Sequence, residues 1–314
     1  MKKLIGILGF LALLYAVLWL ADPAAGSAAN HFYLSQRIGM YGILSLAAGI
    51  LIVTGGIDLS MGSVVGLSAT LFSLLLMRWD CPLPFAVPIV LSLGVAIGLL
   101  HGLLVTKVKV QAFIVTLCGL FLYRGVARWI ADDAVVGLRD DFLELQGFWN
   151  GSFLGVSTYF WFLLVFLAIA GVFLHGSAYG RYLFAIGSNE KAARYAGIAV
   201  DRYKIFAYVL SSTLAALFGM LHVMRTNSVQ PSETGNFMEL YAIAGAVLGG
   251  CSLRGGDGNV LGILVGTCIM WLLPNLTSMW RIPSSLEYTV IGAALLVGAV
   301  MDEVLRSKAS ATKL

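Results

Sequence analysis

Seven polar or ionisable side chains stand in or beside long apolar runs: Asp58, His101, Arg124, Arg128, His222, Glu239 and Asn275. A charge in a membrane is expensive, so such groups usually face protein or a water-filled cavity and mark ion sites, relays or solute paths. Asp58 is the sharpest case. In "IVTGGIDLSMGSVVGL" it stands between the pair Gly55, Gly56 and the later Gly62 and Gly66. One chemistry for it is a proton or cation site. Asn275, after Pro274, either bonds a solute hydroxyl or satisfies a carbonyl freed by the proline. Arg124 and Arg128, one turn apart, read as snorkelling or as partners of Asp132 and Asp133. His101 and His222 read as packing histidines. HExxH, paired catalytic carboxylates and a nucleophile constellation are all missing, which argues against an enzyme. Cys81, Cys118, Cys251 and Cys268 lack ligand spacing, so no metal is expected. No G-x-x-x-x-G-K-[ST] occurs, so the chain itself is expected to hold no nucleotide cofactor.

The surrounding composition says what positions these groups. The 314 residues are 59% hydrophobic and 11% charged, and mean hydropathy is +0.90. Soluble domains carry about 25% charged residues, so the chain reads as all-α, a polytopic integral membrane protein forming one transmembrane domain over 1–314. A spanning helix needs roughly 20 mostly apolar residues. Ten segments qualify: Leu4–Leu20, Ile38–Val53, Gly62–Met77, Phe85–Thr106, Ala112–Ile130, Thr158–His175, Ile205–Met224, Met238–Gly250, Val260–Met279 and Leu286–Met301. The first is preferred as a retained helix over a cleaved signal segment.

The richest basic loop, about 181–204, holds Arg181, Lys191, Arg194, Arg202 and Lys204. Placing it in the cytoplasm by the positive-inside rule puts both termini there too, with 13 of the 20 Lys and Arg. The net charge of +4 is then a topology signal and not a sign of nucleic-acid binding. Ala131–Ser157 becomes the longest outer segment, with no helical period; it is a docking surface or, the preferred reading, a solvated connector. Within the basic loop a short helix can start after Ser188 or Asn189, with Glu190 favourable in its first turn. It is too short and polar to span, so it is either a solvated loop or a surface helix that docks on a cytoplasmic protein.

Four stretches, in order, carry a resemblance: "LIVTGGIDLSMGSVVGLSA", "VQAFIVTLCGLFLYRGVA", "AIGSNEKAARYAGIAVDRYKIFAYVLSSTLAALFGML" and "YAIAGAVLGGCSLRGGDGNVLGILVG". Together they resemble the permease subunits of ATP-binding-cassette importers of the ribose/xylose/arabinose type. The resemblance implies about ten helices, a second permease chain (a copy or a related chain) and a sugar-binding protein outside. It also implies cytoplasmic ATPase subunits that bind ATP-Mg. The segment Ser188, Asn189, Glu190, Lys191, Ala192, Ala193, Arg194, Gly197 and Ile198 would be the coupling helix. The location implied is the cell inner membrane. Branched-chain amino acid or nucleoside permeases, and a gradient-driven carrier using Asp58, are the alternatives.

"LGGCSLRGGDGNVLG" reads as a tight turn beside that helix, and its wording echoes "GGIDLS" at the price of a two-residue gap. For the opening stretch, Gly55 and Gly56 are expected to end a helix, and Gly62 and Gly66 to let the next one pack closely. Asp58 or Ser60 then caps that next helix, the preferred reading, or the break lies deeper and lines the path. Gly55, Gly56, Asp58, Ser60 and Asn275 are the candidates for the helix break and path.

Overall fold

The computed structural model describes residues 2–138, 140–286 and, beyond these, 288, 289, 292, 293 and 296. The tenth expected span, Leu286–Met301, lies largely outside the described residues. Its predecessors all coincide with helices. In chain order these are α1 (Lys2–Ala21), α2 (Ala28–Val53), α3 (Met61–Met77), α4 (Leu83–Thr106) and α5 (Ala112–Ile130). Next come α6 (Leu143–Asn150), α7 (Thr158–Gly171), α8 (Ala178–Ser188) and α9 (Glu190–Tyr195). The last three are α10 (Val200–Thr226), α11 (Met238–Leu248) and α12 (Val260–Met279). Six helices are long and apolar enough to cross a membrane: α2, α4, α5, α7 with its π-helical extension to Gly176, α10 and α12.

Two local features depart from expectation. The segment expected to lack helical period contains α6. It also carries a two-stranded ribbon, Val136–Gly137 antiparallel to Ser228–Val229, and the hairpin Ser152–Phe153 with Val156–Ser157. Eight helical residues and two-residue strands are too short to leave a periodic signature. α2 also starts ten residues before the expected Ile38. Its first turns are polar, and the Ser27 side chain caps them by accepting the Asn30 N–H, a signal that hydropathy does not carry.

α2 is the axis of the bundle. Every residue from Ile38 to Val53 is buried, the mark of a helix apolar all round. α10, α11, α12 and α7 pack around it, and α3 packs between α10, α4 and α5. α4 and α5 instead leave apolar faces open, with Phe85, Leu99, Phe121 and Trp129 exposed. Such faces suit lipid or another apolar chain.

The two ends of the bundle differ. At one, the start of α10 is tied to the turn after α4 by Lys107–Asp201, and α9 is tied to the same Asp201 through Arg194. At the other, α6 meets the end of α10, where Asn150 Nδ2 donates to the Met224 carbonyl and Gln146 Nε2 to Asn227 Oδ1. These are called the α9 end and the α6 end.

Candidate functional site

Three places carry the polar residues of the sequence: the break before α3, the reversal before α11 and the α9 end.

α2 stops in a Schellman motif. Gly56 N–H bonds Leu51 O at 3.2 Å and Gly55 N–H bonds Ile52 O at 2.8 Å, with Gly55 at φ +76°. That pattern wants glycine at the left-handed residue. The chain then turns back into the bundle, and α3 begins at Met61. Asp58, only 2% exposed, is not the cap that its position suggested. Ser60 holds the N-cap position of α3 and its side chain makes no cap bond. Asp58 Oδ1 accepts both the Ser60 N–H (2.8 Å) and the Ser60 O–H (2.6 Å), so it fixes the approach to the helix. Its Oδ2 has no partner and lies 3.8 Å from the equally unpartnered His101 Nδ1. His101 Nε2 and the Tyr123 hydroxyl are hydrogen-bonded at 2.8 Å. Tyr208 O–H donates to Ile57 O. His101 is five residues short of the end of α4. At about 1.5 Å per residue, the break therefore reaches roughly 8 Å into the bundle. Irregular backbone at such depth is tolerated only inside protein or beside water, and here it is packed by side chains of α4, α5 and α10.

The reversal meets α3 from the α6 end. α11 has 11 residues, about 16 Å at the helical rise and half a bilayer core. The chain ahead of it descends to mid-bundle. A Cβ on Gly62 would sit 2.1 Å from Gly235 O and from Glu239 Oε2, and one on Gly66 2.6 Å from Thr234 O. The expected close approach of α3 is thus to this descending segment. Arg124 is the correction that goes with it. Arg128 does pair with Asp133, and Asp132 with Arg78. Arg124 instead sends Nη1 to the carbonyls of Pro231 (2.9 Å) and Thr234 (2.5 Å), satisfying backbone that has no helix to serve it. No pattern in the sequence links residue 124 to 231–234. Asn275 is also corrected. Its Nδ2 donates to Asn30 Oδ1 at 2.7 Å rather than to a carbonyl freed by Pro274. The Asn30 Nδ2 in turn donates to Ala25 O.

At the α9 end, Asn189 caps α9 by accepting the Ala192 N–H. The helix is shorter than the expected Ser188–Ile198, since Ser188 ends α8 and Gly197, at φ +82°, ends the motif. Ala193 and Ile198 face inward on Ile186 and Val200, so they seat the helix rather than present a surface. Lys191, Ala192, Arg194, Tyr195 and Gly197 are exposed, Tyr195 at 92%. Arg194 spans Glu190 (3.1 Å) and Asp201 (2.8 Å), and Glu190 also meets Lys204. Burial pushes the Glu190 carboxyl up, but hydrogen bonds from Lys204 and Arg194 more than offset it and hold it below its usual range. Hydrogen bonds to Asp201 and Glu190 raise Arg194.

The root of α9 is locked to the break. Gly256 N–H donates to Val53 O at 2.9 Å. A Cβ on Gly187 would fall 1.9 Å from Val53 O and 2.4 Å from Gly256 N. The end of α2, the end of α8 and the 251–259 turn therefore meet backbone to backbone, with the turn beside the short helix as the sequence suggested. Among the described residues no cluster of His, Cys, Asp and Glu could hold a metal ion.

Apolar helices with irregular backbone at depth, and a short charged helix rooted at one end, define a multi-pass integral membrane protein. The family model for the permease component of branched-chain amino acid transport systems matches residues 30–299. The chain belongs to this permease family. Among its relatives, the ribose import permease RbsC of Escherichia coli K12 is 36% identical over 304 residues, 96% of this chain and 92% of the relative. RbsC of Haemophilus influenzae is 32% identical over 300 residues, 95% and 92% of the two chains. The autoinducer 2 import permease LsrC of Klebsiella pneumoniae is 36% identical over 265 residues, 84% and 76%. No solved structure gives a significant match.

Proposed function

We propose that the chain is the membrane subunit of an ATP-driven importer for a monosaccharide-like solute, working with a separate ATPase and an external binding protein. The observation that carries the reading is near full-length similarity to permeases named for ribose import. The family model carries an amino acid name, but the individual relatives cited above are named for ribose and autoinducer 2. In this reading the α9 end is cytoplasmic, the membrane is the cell inner membrane, and two permease chains act together.

The mechanism follows from the joint. The exposed face of Lys191, Ala192, Arg194, Tyr195 and Gly197 seats in the ATPase. Ion pairs from Glu190 and Arg194 to Asp201 and Lys204 make α9 move as a body with the start of α10. The contacts of Gly187, Val53 and Gly256 pass that displacement to the end of α2 and so to Asp58 and α3. Bonds between buried backbones have two arrangements rather than a continuum, so a small displacement at α9 is converted to a discrete one at the break. In this reading Asp58 positions the break through Ser60.

The test is uptake of labelled ribose by vesicles that hold the complete complex. ATP inside is expected to drive it. Uptake that ignores ATP and follows an imposed proton or sodium gradient would overturn the reading, and competition by leucine rather than by sugars would move it to the amino acid branch. Gly197→Trp is expected to abolish ATPase association or stimulated hydrolysis while the chain stays in the membrane.

A further inference from the structure

Toward the α6 end, between α2, α10, α11 and α12, lies a cluster of cationic and aromatic groups that the coupling mechanism does not use. The Arg37 guanidinium carbon sits 5.2 Å from the ring centroids of both Tyr33 and Trp271. Arg225 Nε donates to Gln36 Oε1 at 3.1 Å. Arg37, Arg225 and His222 lie within electrostatic reach of one another. Among the described residues no carboxylate pairs with either guanidinium. Arg37 Nε and His222 Nδ1 are buried atoms without a hydrogen-bond partner. Beneath them is a packed floor: Trp271 lies 4.3 Å from Tyr41 and stacks on Tyr241, and both Trp271 and Tyr41 are almost fully buried.

A bundle that needed these residues only for packing would pair or neutralise the cations, because unpaired charge away from water is costly. Here the rings attract Arg37 through cation–π contact and the Tyr41 hydroxyl meets its guanidinium, yet Arg37 Nε and His222 Nδ1 stay unused. Arg37, His222, Arg225 and Gln36 are all part-exposed, on a rigid aromatic support. Donors without acceptors select a ligand rich in oxygen acceptors.

We propose that this cluster is a solute subsite in which Arg37, Arg225 and His222 receive the oxygens of a small polyhydroxylated compound on its way through the bundle. The proposal rests on the permease reading and adds to it where the solute is held. The subsite faces the side from which solute would arrive, and the break at Asp58 lies toward the other end, so solute meets the donors before it meets the moving joint.

Two measurements on the full chain, assembled with its ATPase and binding protein, test it. In a background with Cys81, Cys118, Cys251 and Cys268 replaced, His222→Cys is treated with small thiol reagents. A sulfonate-bearing reagent is expected to react several-fold faster than a trimethylammonium one, with the preference lost on adding Arg37→Gln or Arg225→Gln, and ribose as probe slows the reaction. In vesicles, Arg37→Gln and Arg225→Gln are expected to raise the KM for labelled ribose about tenfold, the loss of one charge-assisted hydrogen bond, more than they lower the maximal rate. Arg37→Lys is expected to recover part of it. A cysteine at 222 that is unreactive with and without ATP, or that reacts without charge preference, overturns the subsite. So does unchanged ribose uptake by both glutamine variants. Failure of ATP to drive uptake by the wild-type complex would instead sink the permease reading, and the labelling result would still decide the subsite.

Discussion

At Thr54–Gly56 and at Gly249–Cys251 the chain leaves a helix through the same two hydrogen bonds. Gly56 N–H to Leu51 O and Gly55 N–H to Ile52 O are matched by Cys251 N–H to Ala246 O and Gly250 N–H to Val247 O. The left-handed residue is Gly55 in one and Gly250 in the other. Aligning the words "GGIDLS" and "GGCSLR" by their glycine pairs sets Gly55 against Gly249, one residue out of register with the geometry. Beyond the shared stop the two diverge. The first turns inward and buries Asp58. The second stays at the surface, with Leu253, Arg254 and Asp257 exposed, and closes on itself through Ser252 N–H to Asp257 O and Gly255 N–H to Ser252 O. Similar glycine words thus fix how a helix ends and leave open where the chain goes next. The destination depends on what receives it: Ser60, His101 and Tyr208 for one, the backbone of Val53 and Gly187 for the other.

The largest expected effect lies at the buried break. Asp58→Ala leaves the Ser60 N–H and O–H without their acceptor and should cost about 3 kcal/mol, as one or two unsatisfied buried groups do. Asp58→Asn keeps an acceptor and should cost under half of that, both read as thermal unfolding in detergent. Equal losses would mean that charge, not acceptor geometry, holds the break. Next comes the joint between the two breaks. Gly256→Ala places a Cβ 2.7 Å from the Ser188 backbone at φ +74°. It should cost about 2 kcal/mol by overpacking and strain and uncouple hydrolysis from uptake. Wild-type coupling would remove the joint from the mechanism. A smaller effect is expected at Gly55→Ala, where a Cβ meets only Arg254 O at 3.9 Å. Left-handed strain alone should cost about 1 kcal/mol, with uptake retained.

The smallest effect is electrostatic and sits on α9. The folded Glu190 carboxyl is depressed below its ordinary 4.5. Its contribution is therefore complete above that value and is lost as pH falls through the lower, folded one. With side chains 41% and 53% exposed on the Glu190–Arg194 pair, screening limits the effect to under about 1 kcal/mol. The readout is thermal unfolding in detergent against pH: the stability advantage of the wild type over Glu190→Gln is expected to shrink only on acidification below the usual carboxylate range, and an advantage that stays constant through that range would remove the contribution.

Much of this molecule is legible in its sequence. Lipid solvation imposes long apolar runs, so the positions of nine helices followed from hydropathy. Caps are local, so Asn189, Glu190 and Gly197 announced α9. The break at Gly55 was readable because a left-handed helix end favours glycine. What was not legible involves partners far apart in the chain: Asp58 with His101, Arg124 with Thr234, Asn30 with Asn275, Arg37 with Trp271. Hydropathy contains no term for which helix lies beside which. Asp58 shows the limit most plainly, since its place ahead of α3 suggested a cap while Ser60 and His101 define what it does.

The sequence alone therefore determined a membrane-spanning chain of apolar helices with a short charged helix at one end, because burial in lipid and helix capping act over a few residues. Only the tertiary structure decided that one glycine break turns inward, that Arg124 serves the reversal before α11, and that the root of α9 touches the end of α2. Those outcomes depend on buried polar groups finding acceptors and on backbones approaching where a Cβ would collide, and both are settled between helices rather than within them.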